Sequence, residues 1–130
     1  MNKYIYPAVF EKEKDGYSVF FPDLTGCQTQ GDSLEEALAM AKDALALYIF
    51  DIEEEHLEIP TPSNPTTIKL EKNQFISIID FDMIEYRKKY DNKSVKKTLS
   101  IPNWLNSLAE EHNINFSQLL QKALKEQLNV

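Results

Sequence analysis

Five carboxylates stand where a metal-dependent hydrolase would want them, near the ends of apolar runs: Asp15, Asp23, Asp32, Asp80 and Asp82. Paired acidic ligands at strand ends can hold divalent cations that activate water. Each has a plainer local reading. Asp15 precedes Gly16 in an Asp-Gly turn, Asp23 lies in a Pro-Asp-Leu turn, and Asp32 comes just before a helix cap. Asp80 and Asp82 read as surface positions. His56 and His112 each fall at a helix C-terminus, where a cation is favoured, and neither has metal-ligand spacing. The single Cys27 has no partner for an internal disulfide and no histidine near it in sequence. It reads as a small buried hydrophobe in a reducing compartment, and cytoplasmic residence is expected. The chain is therefore read as a non-enzyme without metal or cofactor. Binding chemistry lies in two other places: Lys96, Thr98 and Ser100, alternating along a basic run, and Asn115, Phe116 and Ser117, opening the last helix.

The elements that position these groups follow from patterning. Tyr4, Tyr6, Ala8 and Phe10 share one face of a strand over Tyr4–Glu11. Tyr17, Val19 and Phe21 alternate on a second strand beyond Asp15-Gly16, so the two form an antiparallel hairpin. A third short strand is expected over Gly26–Gln30. Ser33, with Glu36 three residues on, is a capping box. Apolar residues at 34, 37, 38, 41, 45, 48, 49 and 52 then predict a helix from Ser33 to about Glu55, about 33 Å long. Pro60, Pro62 and Pro65 enforce an extended loop. Phe75–Phe81 reads as a central strand. The order β-β-β-α-β predicts a small α+β sheet with one long helix on a face. Residues 83–92 are polar and basic, a short helical turn leading to a linker over 87–93.

From Lys93 to Pro102 the residues alternate again, with Val95, Leu99 and Ile101 on one side and Lys96, Thr98 and Ser100 on the other. Lys97 falls on the apolar side, where its stem can pack and its ammonium escape. A helix follows over about Pro102–His112. Asn113-Ile114-Asn115 breaks it, and Asn115 caps a second helix with Gln118 at the third position. One strand and two short helices cannot close a core alone. A twofold dimer with paired antiparallel strands is the economical solution. This segment resembles the ribbon-helix-helix family of repressors. The resemblance implies that the paired ribbon reads the DNA major groove through Lys96, Thr98 and Ser100. It implies too that the helix start at Asn115, Phe116 and Ser117 clamps a phosphate. Thr98 and Ser100 are shorter than the side chains common at those positions.

Charge divides the chain in the same way. Residues 1–86 carry 6 Lys/Arg against 17 Asp/Glu, net −11, and residues 87–130 carry 8 against 4, net +4. An acidic front suits a basic partner and a basic rear suits phosphates. There is no run of 18 apolar residues to span a membrane, and the start lacks the apolar core of a signal peptide.

The string Asp15-Gly16-Tyr17-Ser18-Val19-Phe20-Phe21-Pro22-Asp23-Leu24-Thr25-Gly26-Cys27-Gln28-Thr29-Gln30-Gly31-Asp32-Ser33-Leu34-Glu35-Glu36-Ala37-Leu38 resembles the HicB antitoxin family of HicA–HicB toxin–antitoxin systems. The likeness extends over about residues 3–90, with Thr25 where Pro is frequent. It implies a sheet likened to a degenerate ribonuclease H core. It implies as partner a HicA-type toxin, a small basic mRNA-cleaving protein whose catalytic histidine is covered. It also implies operon repression through a C-terminal DNA-binding domain. The expected division is a toxin-binding domain at 1–86, a linker at 87–93 and a dimeric ribbon-helix-helix domain at 94–130, with tetramers left open. Two other readings stay open: a stand-alone ribbon-helix-helix regulator with an N-terminal ligand sensor, and a relic hydrolase whose nuclease activity would depend on Asp80 or Asp23.

Overall fold

The computed structural model describes residues 2–130, which fall into two compact units, the first ending at Lys93 and the second running from Ser94 to Val130. The first is a four-stranded antiparallel sheet of order β3-β2-β1-β4, formed by β1 (Lys3–Glu13), β2 (Gly16–Phe20), β3 (Gln28–Gly31) and β4 (Gln74–Asp82). Helix α1 (Leu34–Glu54) packs on one face, and α2 (Met83–Tyr90) follows β4 directly. The architecture is mixed α+β, in the order expected from the patterning.

The β1–β2 hairpin turns at Gly16, whose φ of 141° is open only to glycine; a Cβ there would strike the Gly31 carbonyl oxygen. Gly31 ends β3 where the chain passes against α1, and a Cβ at that position would lie 2.5 Å from the Ala37 nitrogen. Ser33 then starts α1, its Oγ accepting from the Glu36 amide at 3.1 Å, while the Glu36 carboxylate accepts from the Asp32 amide at 3.3 Å. The buried face of α1 is Ala37, Ala41, Leu45, Ala46 and Ile49. The alanines let the helix lie close to the sheet, against Tyr6, Ala8, Phe10, Val19, Ile79 and Phe81. Leu34 and Leu38, which belong to the same helical stripe in the sequence, are exposed near the N-terminal end.

Strand β3 begins at Gln28, two residues later than the sequence suggests. Leu24 donates to the Phe21 carbonyl and Cys27 to the Leu24 carbonyl, both at 3.0 Å, so Pro22–Cys27 is a turn. Residues 87–90, expected to open a linker, form the last turns of α2. Asp82 caps this helix through Oδ1, at 2.8 Å from the Ile84 amide and 3.1 Å from that of Glu85.

In the second unit, α3 (Asn103–Glu111) and α4 (Phe116–Leu128) are joined through Asn113, which takes a left-handed φ of 54°. The expected strand over 93–102 is not formed; the chain there is irregular and exposed. A strand exists only through its ladder of inter-strand hydrogen bonds, and among the described residues no segment pairs with this one. No residue of this unit is buried. Val95, Leu99, Ile101, Trp104, Leu105 and Leu108 are all exposed, Trp104 at 68%.

Candidate functional site: an acidic sheet unit and an open helical unit

Each of the five carboxylates considered for metal chemistry has a structural task or sits in a turn. Asp23 accepts from the Ser63 amide at 2.9 Å and from the Ser63 hydroxyl. Together with the Tyr6 hydroxyl, which donates to the Pro60 carbonyl, it ties the proline-rich loop to the sheet. Asp80 pairs with Lys3 at 3.2 Å. Asp82 caps α2, Asp32 lies in the α1 capping box, and Asp15 is in the β1–β2 turn. Among the described residues, no three His, Cys, Asp or Glu side chains are grouped to hold a metal ion. Cys27 is buried beside the Ala44 carbonyl, its Sγ at 3.7 Å, and burial pushes its thiol up to about 11.

A polar cluster that the sequence did not reveal lies between α1 and α2. Arg87 donates to Glu54 at 2.7 Å, Glu53 at 3.0 Å and Asp91 at 3.0 Å, and its guanidinium carbon stands 4.6 Å from the centre of the Phe50 ring. These hydrogen bonds, Glu54 first, hold it more firmly protonated than a free arginine. Glu53 also accepts from the Tyr4 hydroxyl on β1. Burial, then the Glu53 hydrogen bond, raises the Tyr4 phenol to about 12. Only the i,i+4 pair of Arg87 with Asp91 was legible in one dimension. Partners 33 and 34 residues away were not.

In the second unit, Lys96, Thr98 and Ser100 are exposed on the segment leading to α3. Lys97 is exposed as well. Asn115 caps α4 as its sequence position implies, Oδ1 accepting from the Gln118 amide at 3.1 Å. Phe116 is half exposed, and Ser117 Oγ accepts from Gln121 Nε2 at 3.1 Å. The first turn of α4 thus gathers Asn115, Phe116 and Ser117, with the Phe116 and Ser117 amides facing solvent at the positive end of the helix dipole. His112 closes α3, with Nδ1 3.0 Å from the Leu108 carbonyl. His56 takes a left-handed φ of 54° just past α1. No helix among the described residues is long and apolar enough to cross a membrane.

An acidic α+β sheet unit is followed by a helical pair whose apolar side chains lack an interior and whose Lys122 and Lys125 are outnumbered by Glu110, Glu111 and Glu126. The family model of the HicB-like antitoxin of bacterial toxin–antitoxin systems matches residues 6–124. The chain belongs to that family. It is 50% identical over 58 residues to antitoxin HicB 2 of Photorhabdus laumondii, a match covering 45% of this chain and 42% of that protein. The aligned stretch is thus less than half of that relative's length. It is 32% identical over 102 residues to an uncharacterised 14.9 kDa protein of Haemophilus phage HP1, covering 75% of this chain and 73% of the phage protein. Among solved structures, a chain of a toxin–antitoxin complex from Streptococcus pneumoniae superposes with a TM-score of 0.63 at 32% identity, covering 96% of this chain and 99% of that one.

Proposed function

We propose that this protein is a non-enzymatic cytoplasmic antitoxin that binds a HicA-type toxin, masks its active site, and represses its own operon through a dimeric C-terminal unit. Residues 1–86, as a degenerate ribonuclease-H-like sheet, take the toxin; 87–93 lead out; 94–130 form a ribbon-helix-helix that dimerises and binds operator DNA. The likeness to a chain from a toxin–antitoxin complex supports the first role.

The observation that carries the second role is the second unit's lack of any buried residue, although it bears Val95, Leu99, Ile101, Trp104, Leu105, Leu108, Leu119 and Leu124. A solvated apolar surface of this density is costly, and a second copy would bury it. Pairing the two 93–102 segments antiparallel would satisfy their open backbone groups and set Lys96, Thr98 and Ser100 on one face toward DNA. The Phe116 and Ser117 amides would hold a flanking phosphate.

The test has two arms. The chain is co-expressed with the product of the adjacent reading frame, and complex formation and growth are scored. Association with rescued growth is expected; no association and no toxicity would leave a regulator without a toxin. In the second arm, DNA from upstream of the operon is titrated with the purified chain. A dimer binding one site, with affinity falling steeply as salt rises, is expected. Binding equal to that of random DNA would sink the repressor role.

A further inference from the structure

The sheet of the first unit has two faces, and the described helices of that unit pack on one only. Core side chains Tyr6, Ala8, Phe10, Val19, Ile79 and Phe81 point toward α1. Alternation sends the intervening residues the other way. The register sets Ile5 beside Asp80, Pro7 beside Ile78, and Val9 between Phe20 and Ile76. Ile5, Pro7, Val9, Phe20, Ile76 and Ile78 form an apolar patch across the three strands β2, β1 and β4. Its middle is tight, since Val9 is almost fully buried without belonging to the core under α1. Its outer members are open: Ile5 at 54%, Ile78 at 44% and Phe20 at 40%.

The border of this face is acidic. By the same alternation Glu11, Glu13, Asp80 and Asp82 lie on it, with Lys3 as its one cation among the described residues, paired to Asp80. Ser18, Gln28, Gln30 and Gln74 complete the rim. An apolar centre with a polar rim is how protein interfaces are built. The charge decides the occupant. A second copy laid face to face would set carboxylates against carboxylates, which interfaces avoid. A cationic protein surface with its own apolar centre would be attracted and seated.

We propose that the open sheet face centred on Phe20, Val9 and Ile78 is the surface that seats the toxin, and that the toxin's contacting surface is basic around an apolar patch. This rests on the toxin-binding reading above and assigns that binding to one face of one unit.

The probe is the protein encoded by the adjacent reading frame, purified separately and titrated calorimetrically into the full chain. Phe20→Asp and Ile78→Asp are expected to weaken binding at least about 100-fold, the size of a hot-spot loss at an interface centre. Leu47→Asp, on the outer side of α1 and 54% exposed, should change it by less than about threefold, as for a site outside the contact. Ile5→Asp repeats the test at the most open position of the face, where folding is least at risk. Glu13→Lys should weaken binding most at low salt. If wild type and Ile78→Asp bind alike, or if Leu47→Asp alone abolishes binding, the assignment of the face is overturned while the toxin reading stands. If the wild type does not bind the probe, the toxin reading falls and takes this surface with it. If sedimentation shows the chain self-associating in a way that Ile78→Asp reverses, the occupant is a second copy and the proposal is wrong.

Discussion

Arg87 on α2 and Glu53 on α1 are joined by a hydrogen bond of 3.0 Å across 34 residues of sequence, with both side chains about three-quarters shielded from solvent. Glu54 and Asp91 complete the acceptor set, and the guanidinium carbon lies over the Phe50 ring. This cluster fixes the last helix of the first unit to the end of its longest one.

Arg87→Ala leaves two carboxylates at the end of α1 without their cation. The expected loss is about 2 kcal/mol, in line with hydrogen bonds between charged, partly shielded groups. Lysine should recover only part of it, because an ammonium cannot bridge three acceptors in a fixed plane. Chemical denaturation measures the loss, and amide exchange in 84–90 should quicken. Unchanged exchange would mean that the aromatic contacts of Tyr86 with Phe50 and Phe81 hold α2 unaided.

Asp23→Ala removes both tethers to Ser63. The loop between α1 and β4 should then be cut by protease faster than in the wild type, with a stability loss of about 1–2 kcal/mol. The folded sheet itself should persist, as its core does not include Asp23. A digestion pattern identical to wild type would show that the Tyr6–Pro60 bond alone secures the loop.

Alkali should destabilise the protein through Cys27 and Tyr4. Burial raises both in the folded state, to about 11 and about 12 against ordinary values of 9.0 and 10.0. Between the two values the unfolded chain has released its proton and the native state has not. Stability is therefore full below about pH 9 and falls as pH rises toward 12. Melting temperatures across that range measure the fall. Cys27→Ser, which keeps the branching but removes the titrating thiol, should lessen its earlier part. Native Cys27 should also react with a thiol reagent at pH 8 only at the rate of unfolding.

Lys96→Ala tests the register of the proposed ribbon. Operator affinity should fall, and the slope of log affinity against log salt should shrink by about one per chain if the lysine meets a phosphate. Should sequence preference relax instead, Lys96 reads a base. Toxin binding should be untouched in either case, since it is assigned to the other unit. Normal operator binding by the variant would show that the register over 93–102 is shifted, because a one-residue slip exchanges the two faces.

Local chemistry was enough for most of the elements of the first unit. Aromatic alternation in Tyr4–Phe10, the Asp-Gly turn, the Ser33–Glu36 box and the helical spacing through Ile49 each act over a few residues, so the sequence by itself determined the strands, α1 and the caps, including Asn115 on α4. The charge divide was likewise countable. Sheet order was decided only in three dimensions. β4 pairs with β1, its first strand, through long-range contacts between Lys3–Glu11 and Gln74–Asp82. The same holds for the node at Arg87, read in sequence as linker because its partners are distant, and for the tether of Asp23 to Ser63. Tertiary packing also decided which face of the sheet is covered: α1 takes the side of Tyr6, Ala8 and Phe10, and so leaves Ile5, Phe20 and Ile78 open. The 93–102 segment marks the limit from the other direction. Its alternation was legible, yet a strand needs a hydrogen-bonded neighbour, and one chain does not supply it.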